Sequence, residues 1–309
     1  MNQQSNARVV AVISAFHPPK ELAHRVSDLM RQVFRVIVVD DGSDPDRTDP
    51  TLRELEGLGA TLVRLEKNSG IAAALNKGIQ AALEQDSPDF VVTLDQDSAL
   101  DDGYVAAALA TYHHAGSQGV QVGLVGAQSH NGLAVPLLSR ASAFPEAFDP
   151  LQSGALIPVS TFDKVGLLDE RLFIDCVDSE FNLRVRAHGM ATLIGRDCNM
   201  SHALGHARPM TLLGWHVSVG GIKRHVHYHA PFRVYYITRN SIYLWRQYGR
   251  RFPGWLLRRF RFQLESDVFR LLYGPKRREQ VLAVVRGLQD GLRGRLGEID
   301  PALKSRIGA

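Results

Sequence analysis

The stretch FVVTLDQDSAL, Phe90 to Leu100, decides how the chain is read. Phe90, Val91, Val92 and Leu94 form an apolar, β-rich run, and such a run bounded by polar residues reads as a buried strand. It ends in two carboxylates separated by one residue, Asp95 and Asp97. Alternate side chains of an extended segment point the same way, so both carboxylates would aim at one point beyond the strand's carboxyl end. A hard divalent cation suits such a pair, because Mg2+ takes one or two protein carboxylates and completes its shell with water and substrate phosphates. The plain alternative is an acidic turn, since Asp is common in turns.

Working outward, VVAVISAF (Val9 to Phe16) and VIVVD (Val36 to Asp40) read as buried strands and TLVRLE (Thr61 to Glu66) as a weaker one. Helical patterns fall over Glu21 to Arg31 and over IAAALNKGIQAAL, Ile71 to Leu83. Strands alternating with helices predict an α/β fold with a mostly parallel sheet, whose ligands sit beyond the carboxyl ends of the strands. The second strand runs into DDGSD, Asp40 to Asp44, where a carboxylate can accept from a nucleobase imide or a ribose hydroxyl. In NSGIAAALNKGI, Asn68 to Ile79, a turn glycine precedes a small-residue helix. Its amino end either faces a ligand with unpaired N–H groups or simply packs closely through alanines. Downstream, VGLVGAQ (Val122 to Gln128) reads as a strand, followed by a loop with Pro136, Pro145 and Pro150, and then by a strand, turn and short helix in SGALIPVSTFDKVG. A second acidic cluster, Asp175, Asp178 and Glu180, occurs in FIDCVDSEF. The bland reading of that cluster is an exposed helix start with Arg184 paired at i+4 to Glu180.

The 309 residues, 45% hydrophobic and 22% charged, suffice for one large domain or a domain with a substantial appendage. Two cysteines, Cys176 and Cys198, and no charged-then-apolar leader predict no disulfide framework and a cytoplasmic location. No apolar run approaches the roughly 18 to 20 residues that span a bilayer, so membrane contact would be peripheral, on the inner face. The net charge of +4 is unevenly divided. Residues 223–309 carry 19 Lys or Arg against 6 Asp or Glu, whereas residues 1–222 carry 17 against 26. The expected organisation is a main domain over 1–222, divided in two at about residue 100. A basic, mainly helical region follows over 223–309. In it, Arg250, Arg251, Arg258, Arg259 and Arg261 interleave with Phe252, Trp255, Phe260 and Phe262. Three readings stay open for that segment: an anionic membrane surface as partner, an interface of a homo-oligomer, or a solvated basic face. No nucleic acid is expected, because no recognised binding module accompanies the charge.

Together, VVAVISAFHPP, VIVVDDGSD, NSGIAAALNKGI, TLDQDS, SGALI and LFIDCVDSEFNLRVRAHG resemble, in order, the motifs of the family 2 glycosyltransferases. These are inverting enzymes with the A-type nucleotide-sugar-binding fold. Within that family, LDQDS, FIDCVDSEF and YYITRN look most like the bacterial rhamnosyltransferases, whose usual donor is dTDP-L-rhamnose. The resemblance makes 1–222 a catalytic domain with a nucleotide-sugar half to about residue 100 and an acceptor half over 101–222, and it implies transfer of L-rhamnose to a hydroxyl of a glycan or lipid-linked acceptor. It puts Ala15, Phe16 and His17 against the nucleobase, and Asp40 or Asp41 where base and ribose are read. Asn68, Gly70 and Asn76 fall on the donor side. The tip departs from the commoner Pro-Thr-Tyr-Asn type. Asp95 and Asp97 match the family's Asp-x-Asp, with Asp95 nearer the ribose and Asp97 the direct ligand of Mg2+ or Mn2+. His202 matches a histidine that completes the metal shell. Asp178 matches the aspartate of the family's Glu-Asp motif and becomes the base. Val177 replaces the preceding Glu, which turns attention to Asp175 for support, with Glu180 on the acceptor side. Arg239 of YYITRN meets either phosphate or structural carboxylates, and KRHVHYH suits a loop closing over diphosphate better than a zinc site. Another nucleotide sugar with the same mechanism, or a catalytically silent nucleotide-sugar-binding or membrane-scaffold protein, are the alternatives. A nucleotidyltransferase is not expected, for want of a Gly-rich basic triphosphate loop after the first strand.

Overall fold

Every residue of VVAVISA is buried, as an uninterrupted apolar strand must be when both its faces are covered. This strand, β1 (Val9–Ala15), lies between β2 (Arg35–Asp40) and β4 (Phe90–Asp95), and β3 (Thr61–Arg64) flanks β2, all four parallel. The computed structural model describes residues 7–139, 143–202, 207–212, 215–216, 218–219, 222–223 and 225–308. Three helices connect the parallel strands: α1 (Glu21–Met30), α2 (Pro45–Gly57) and α3 (Ile71–Asp86). Pro45 opens α2, and the Asp44 side chain caps it by accepting from Asp46 N. The small residues of α3 let it approach the sheet closely: a Cβ on Gly78 would stand 2.4 Å from Val12 Cγ1.

After β4 come β5 (Ser98–Leu100), α4 (Tyr104–Ser117), β6 (Val122–Gly126) and the short β7 (Ser129–His130), β8 (Leu133–Ala134), β9 (Leu137–Ser139) and β10 (Glu146–Ala147). β11 (Ala155–Pro158), α5 (Val159–Val165), α6 (Val177–Ala187), β12 (Ala191–Ile194) and β13 (Asn199–His202) follow. The main sheet runs β3-β2-β1-β4-β11-β6-β12-β10-β9. Parallel order holds for β3 to β4 and for β6 with β12, but β11 enters antiparallel to both its neighbours. An irregular loop rather than a crossover helix leads into β11, and a parallel strand would require the crossover.

The chain forms two compact units, 1–170 with 177–203, and 171–176 with 204–309. The second therefore starts earlier than the charge boundary at 223 and takes in six residues from mid-chain. Charge composition marked the basic region, whereas hydrogen bonds assign the segment. Asn240 Nδ2 donates to the carbonyls of Leu172, Ile174 and Asp175 at 2.8 to 3.0 Å. Asn240 lies on α7 (Pro231–Tyr248), which is followed by α8 (Pro253–Tyr273), α9 (Arg277–Arg293) and α10 (Pro301–Arg306). Val234, Tyr236, Ala283, Ile299, Leu303 and Ile307 build the core of this unit.

Gly42 occupies the turn after β2 at φ +70°, and a Cβ there would stand 2.2 Å from the Lys67 carbonyl carbon. Gly42→Ala is expected to cost at least ~2 kcal/mol, on the order of 5 °C in thermal midpoint. A melt superimposable on the wild type would show that this turn tolerates a side chain.

Candidate active site

The register of the parallel strands gathers their carboxyl ends, pairing Ala15 with Asp40 and Ser14 with Asp95. Asp95 is the last residue of β4, and Gln96 and Asp97 form a turn before β5. The two carboxylates therefore converge through a turn and not through the alternation of one strand. β13 pairs antiparallel with β5 and sets His202 opposite Ser98. One ligand atom from each of Asp95, Asp97 and His202 lies within 4.8 Å of the others. Two carboxylates and an imidazole suit a hard or borderline divalent ion such as Mg2+ or Mn2+. Cys198, just before β13, adds no thiolate to that set. Burial, then the Asp197 charge, push its thiol up to about 12.

Residues distant in the sequence fix the three groups. His202 Nδ1 lies 2.7 Å from Ser98 Oγ and 3.3 Å from Asp97 Oδ1. Ser153 Oγ donates to Ser98 Oγ at 2.7 Å and accepts from Asp95 N at 3.0 Å. Gln152 Nε2 donates to Asp95 Oδ1. His130, in the strand beside β13, has its pKa lowered by burial and next by the charge of His202.

At the tip of β1, Gln96 takes both backbone groups of Phe16, accepting from its N at 2.8 Å and donating to its O at 3.1 Å. The middle residue of Asp-x-Asp thus ties β4 to the tip of β1. Ala15 is buried, and its carbonyl accepts from Asp41 N at 2.7 Å. Phe16 and His17 are exposed, their rings 4.2 Å apart, and His17 N donates to Ser43 Oγ at 2.8 Å. The pair Asp40 and Asp41 divides its tasks. Asp41 accepts from Ser69 N at 2.7 Å and from Gly70 N at 2.9 Å, one bond on each oxygen, so it holds the loop that opens α3. Asn68 Oδ1 also accepts from Gly70 N, at 3.2 Å. Asp40 Oδ1 binds Ser43 through its hydroxyl and N.

Asp178 stands in the first turn of α6, with Ser179 N donating to its Oδ1 at 2.8 Å. Asp149 anchors this turn by accepting from Ser179 Oγ at 2.8 Å and from Asn182 Nδ2 at 3.3 Å. Asp178 and Gln152 line the same small pocket, together with Thr93 and Phe181. The base candidate thus lies beside the residue gripping Asp95.

Four expected site residues have other work. Glu180 is 3% exposed and receives Arg184 Nη2 at 2.8 Å and Nε at 3.1 Å, so it forms a buried ion pair instead of facing an acceptor. Asp175 belongs to the second unit and binds Arg233 Nη2 at 2.5 Å and Nε at 3.2 Å. Asn76 is also buried. Its amide donates to Leu168 O and Glu170 Oε1 and accepts from Leu168 N, which joins α3 to the segment after α5 rather than to a donor. Arg239 is 1% exposed, donates to Gly297 O, Leu172 O and Asn240 Oδ1, and stacks over Tyr236 at 4.7 Å. It braces the second unit and presents no guanidinium to phosphate. The side chains of Lys223 to His227, from the loop expected over the diphosphate, lie outside the described residues. No sequence signal singled out Ser98, Asp149, Gln152 or Ser153, because their partners are some 30 to 100 residues away. Gln96 was within view, inside Asp-x-Asp.

Parallel strands with an Asp-Asp-His cluster beyond their carboxyl ends suit a divalent cation and a phosphorylated ligand. The model of the glycosyl transferase family 2 matches residues 10–163. A dTDP-rhamnosyl transferase, RfbF of Shigella flexneri, is 30% identical over 257 residues, covering 78% of this chain and 81% of that protein. The chain belongs to glycosyl transferase family 2. An uncharacterised protein of Methanocaldococcus jannaschii is 33% identical over 92 residues, 29% of this chain and 40% of that one. Among solved structures, that of GalNAc-T7 with UDP, GalNAc and Mn2+ superposes with a TM-score of 0.55 at 15% identity, over 77% of this chain and 48% of its own. This likeness is one of fold.

Proposed function

We propose that the protein is an inverting rhamnosyltransferase that moves L-rhamnose from dTDP-L-rhamnose to a hydroxyl of a glycan or glycolipid acceptor. The observation that carries the reading is the gathering of Asp95, Asp97 and His202 at the strand ends. The 30% identity to a dTDP-rhamnosyl transferase supports the choice of donor. Phe16 offers an exposed ring for the nucleobase, and Asp40 reads the base while Asp41 keeps the loop of Asn68 and Gly70 in shape. Asp178 takes the proton of the acceptor hydroxyl as that oxygen attacks the anomeric carbon. The bond from that carbon to the diphosphate oxygen breaks, dTDP leaves with the electron pair, and the configuration inverts in a single displacement. Asp95, Asp97 and His202 would hold Mg2+ or Mn2+, which would supply charge neutralisation at the leaving diphosphate. Gln152, Ser98 and Ser153 hold the three ligands in place.

Isothermal titration with dTDP-L-rhamnose, dTDP, UDP-glucose and GDP-mannose, each with and without Mg2+, tests the donor. The thymidine pair should bind more tightly than the others and only in the presence of metal. Preference for UDP-glucose or GDP-mannose would assign another sugar to the same mechanism, and binding to none would remove the transferase reading.

A further inference from the structure

Two helices of the second unit turn apolar side chains outward. On α9, Val281, Val285, Leu288 and Leu292 are 43 to 71% exposed, and their spacing of four, three and four residues aligns them in one stripe. On α8, Leu257, Phe260, Leu264, Val268 and Leu272 recur every three or four residues, each at least 45% exposed. Phe262 and Phe269, round the side of the helix, are exposed as well. A solvated basic surface does not expose apolar side chains in register. No helix among the described residues is long and apolar enough to cross a membrane.

Charge chooses the partner. Residues 223–309 carry 19 basic against 6 acidic side chains. Arg250, Arg261, Arg278 and Arg293 are exposed and have no carboxylate partner among the described residues. A second copy would bring the same positive charge to the interface. The positions flanking the α9 stripe are Leu282, Val284, Gln289 and Gly291, which offer no opposite charges to pair two copies. An anionic bilayer surface satisfies both features, since headgroups meet the arginines while Leu and Phe enter the acyl boundary. We infer that α8 and α9 dock this protein onto a bilayer surface rich in acidic phospholipid, with both helices lying in the plane of the interface. The inference is independent of the transfer reaction.

The test is cosedimentation of the full chain with vesicles of phosphatidylglycerol and phosphatidylcholine, against phosphatidylcholine alone. The mixed vesicles should bind at least about tenfold more tightly, and added NaCl should release the protein. Leu288→Glu with Leu292→Glu, both at exposed positions, should weaken binding about tenfold or more. Arg261→Gln with Arg278→Gln should do so by a similar factor, with thermal melts unchanged. Equal binding to both vesicle types, no binding, or binding indifferent to salt would overturn the inference. So would a concentration-dependent dimer in sedimentation velocity that the leucine substitutions dissociate while vesicle binding persists. Should the leucine pair fail to fold, the arginine pair and the salt titration on the wild type still decide.

Discussion

Asp178→Asn is expected to lower turnover on the order of 10^2-fold to 10^4-fold while donor affinity stays within about a factor of two, the range assigned to a general base. The substitution is nearly isosteric, and the amide oxygen can still accept from Ser179 N, as Asp178 Oδ1 does at 2.8 Å. The anchor of Asp149 on Ser179 and Asn182 is untouched, so α6 should start where it does now. What disappears is a carboxylate able to receive the acceptor's proton. Single-turnover kinetics with saturating donor, together with donor titration and a thermal melt, separate these effects. Undiminished turnover would take Asp178 out of the reaction. A parallel fall in stability would mean that the loss came from a displaced helix.

The second large effect is expected from Asp97→Asn. An amide oxygen is a much weaker ligand for a hard cation than a carboxylate, and Asp97 is one of only two carboxylates in the Asp95, Asp97 and His202 cluster. Turnover should fall on the order of 10^2-fold or more, and chelation should no longer change dTDP affinity. In the wild type, chelation should weaken dTDP binding. Gln152 on Asp95 and the Ser153 to Ser98 bond to His202 persist in the variant, so the fold around the site should survive. A variant that still gains dTDP affinity on addition of Mg2+ would place the ion elsewhere.

Much of the first hundred residues could be read directly. Buried parallel strands are apolar throughout, so β1, β2 and β4 announce themselves, and their ends fall on DDGSD and TLDQDS. Whatever depended on distant pairing was hidden. β11 gives a short apolar run whichever way it points, and only its neighbours β4 and β6 reveal it as antiparallel. His202 reaches Asp97 because β13 pairs with β5 across about a hundred residues. The motif match selected it, but composition could not. Charged and amide side chains misled for a consistent reason. Glu180, Asn76 and Arg239 carry groups suited to ligands, and each is instead buried with protein partners that satisfy it. Sequence reports the chemistry of a side chain but not its depth.

The segment Arg171–Cys176 has a bearing on how this enzyme can be rebuilt. It is encoded between two stretches of the first unit yet bound by Asn240 and Arg239 of the second. During synthesis it therefore leaves the ribosome with buried-type carbonyls that stay unmatched until α7 follows, more than fifty residues later. A chimaera cut at residue 203 would strand those carbonyls in one parent and the Asn240 amide in the other. Exchange of the second unit between relatives should thus be attempted by transplanting residues 171–176 together with 204–309, as one discontinuous block.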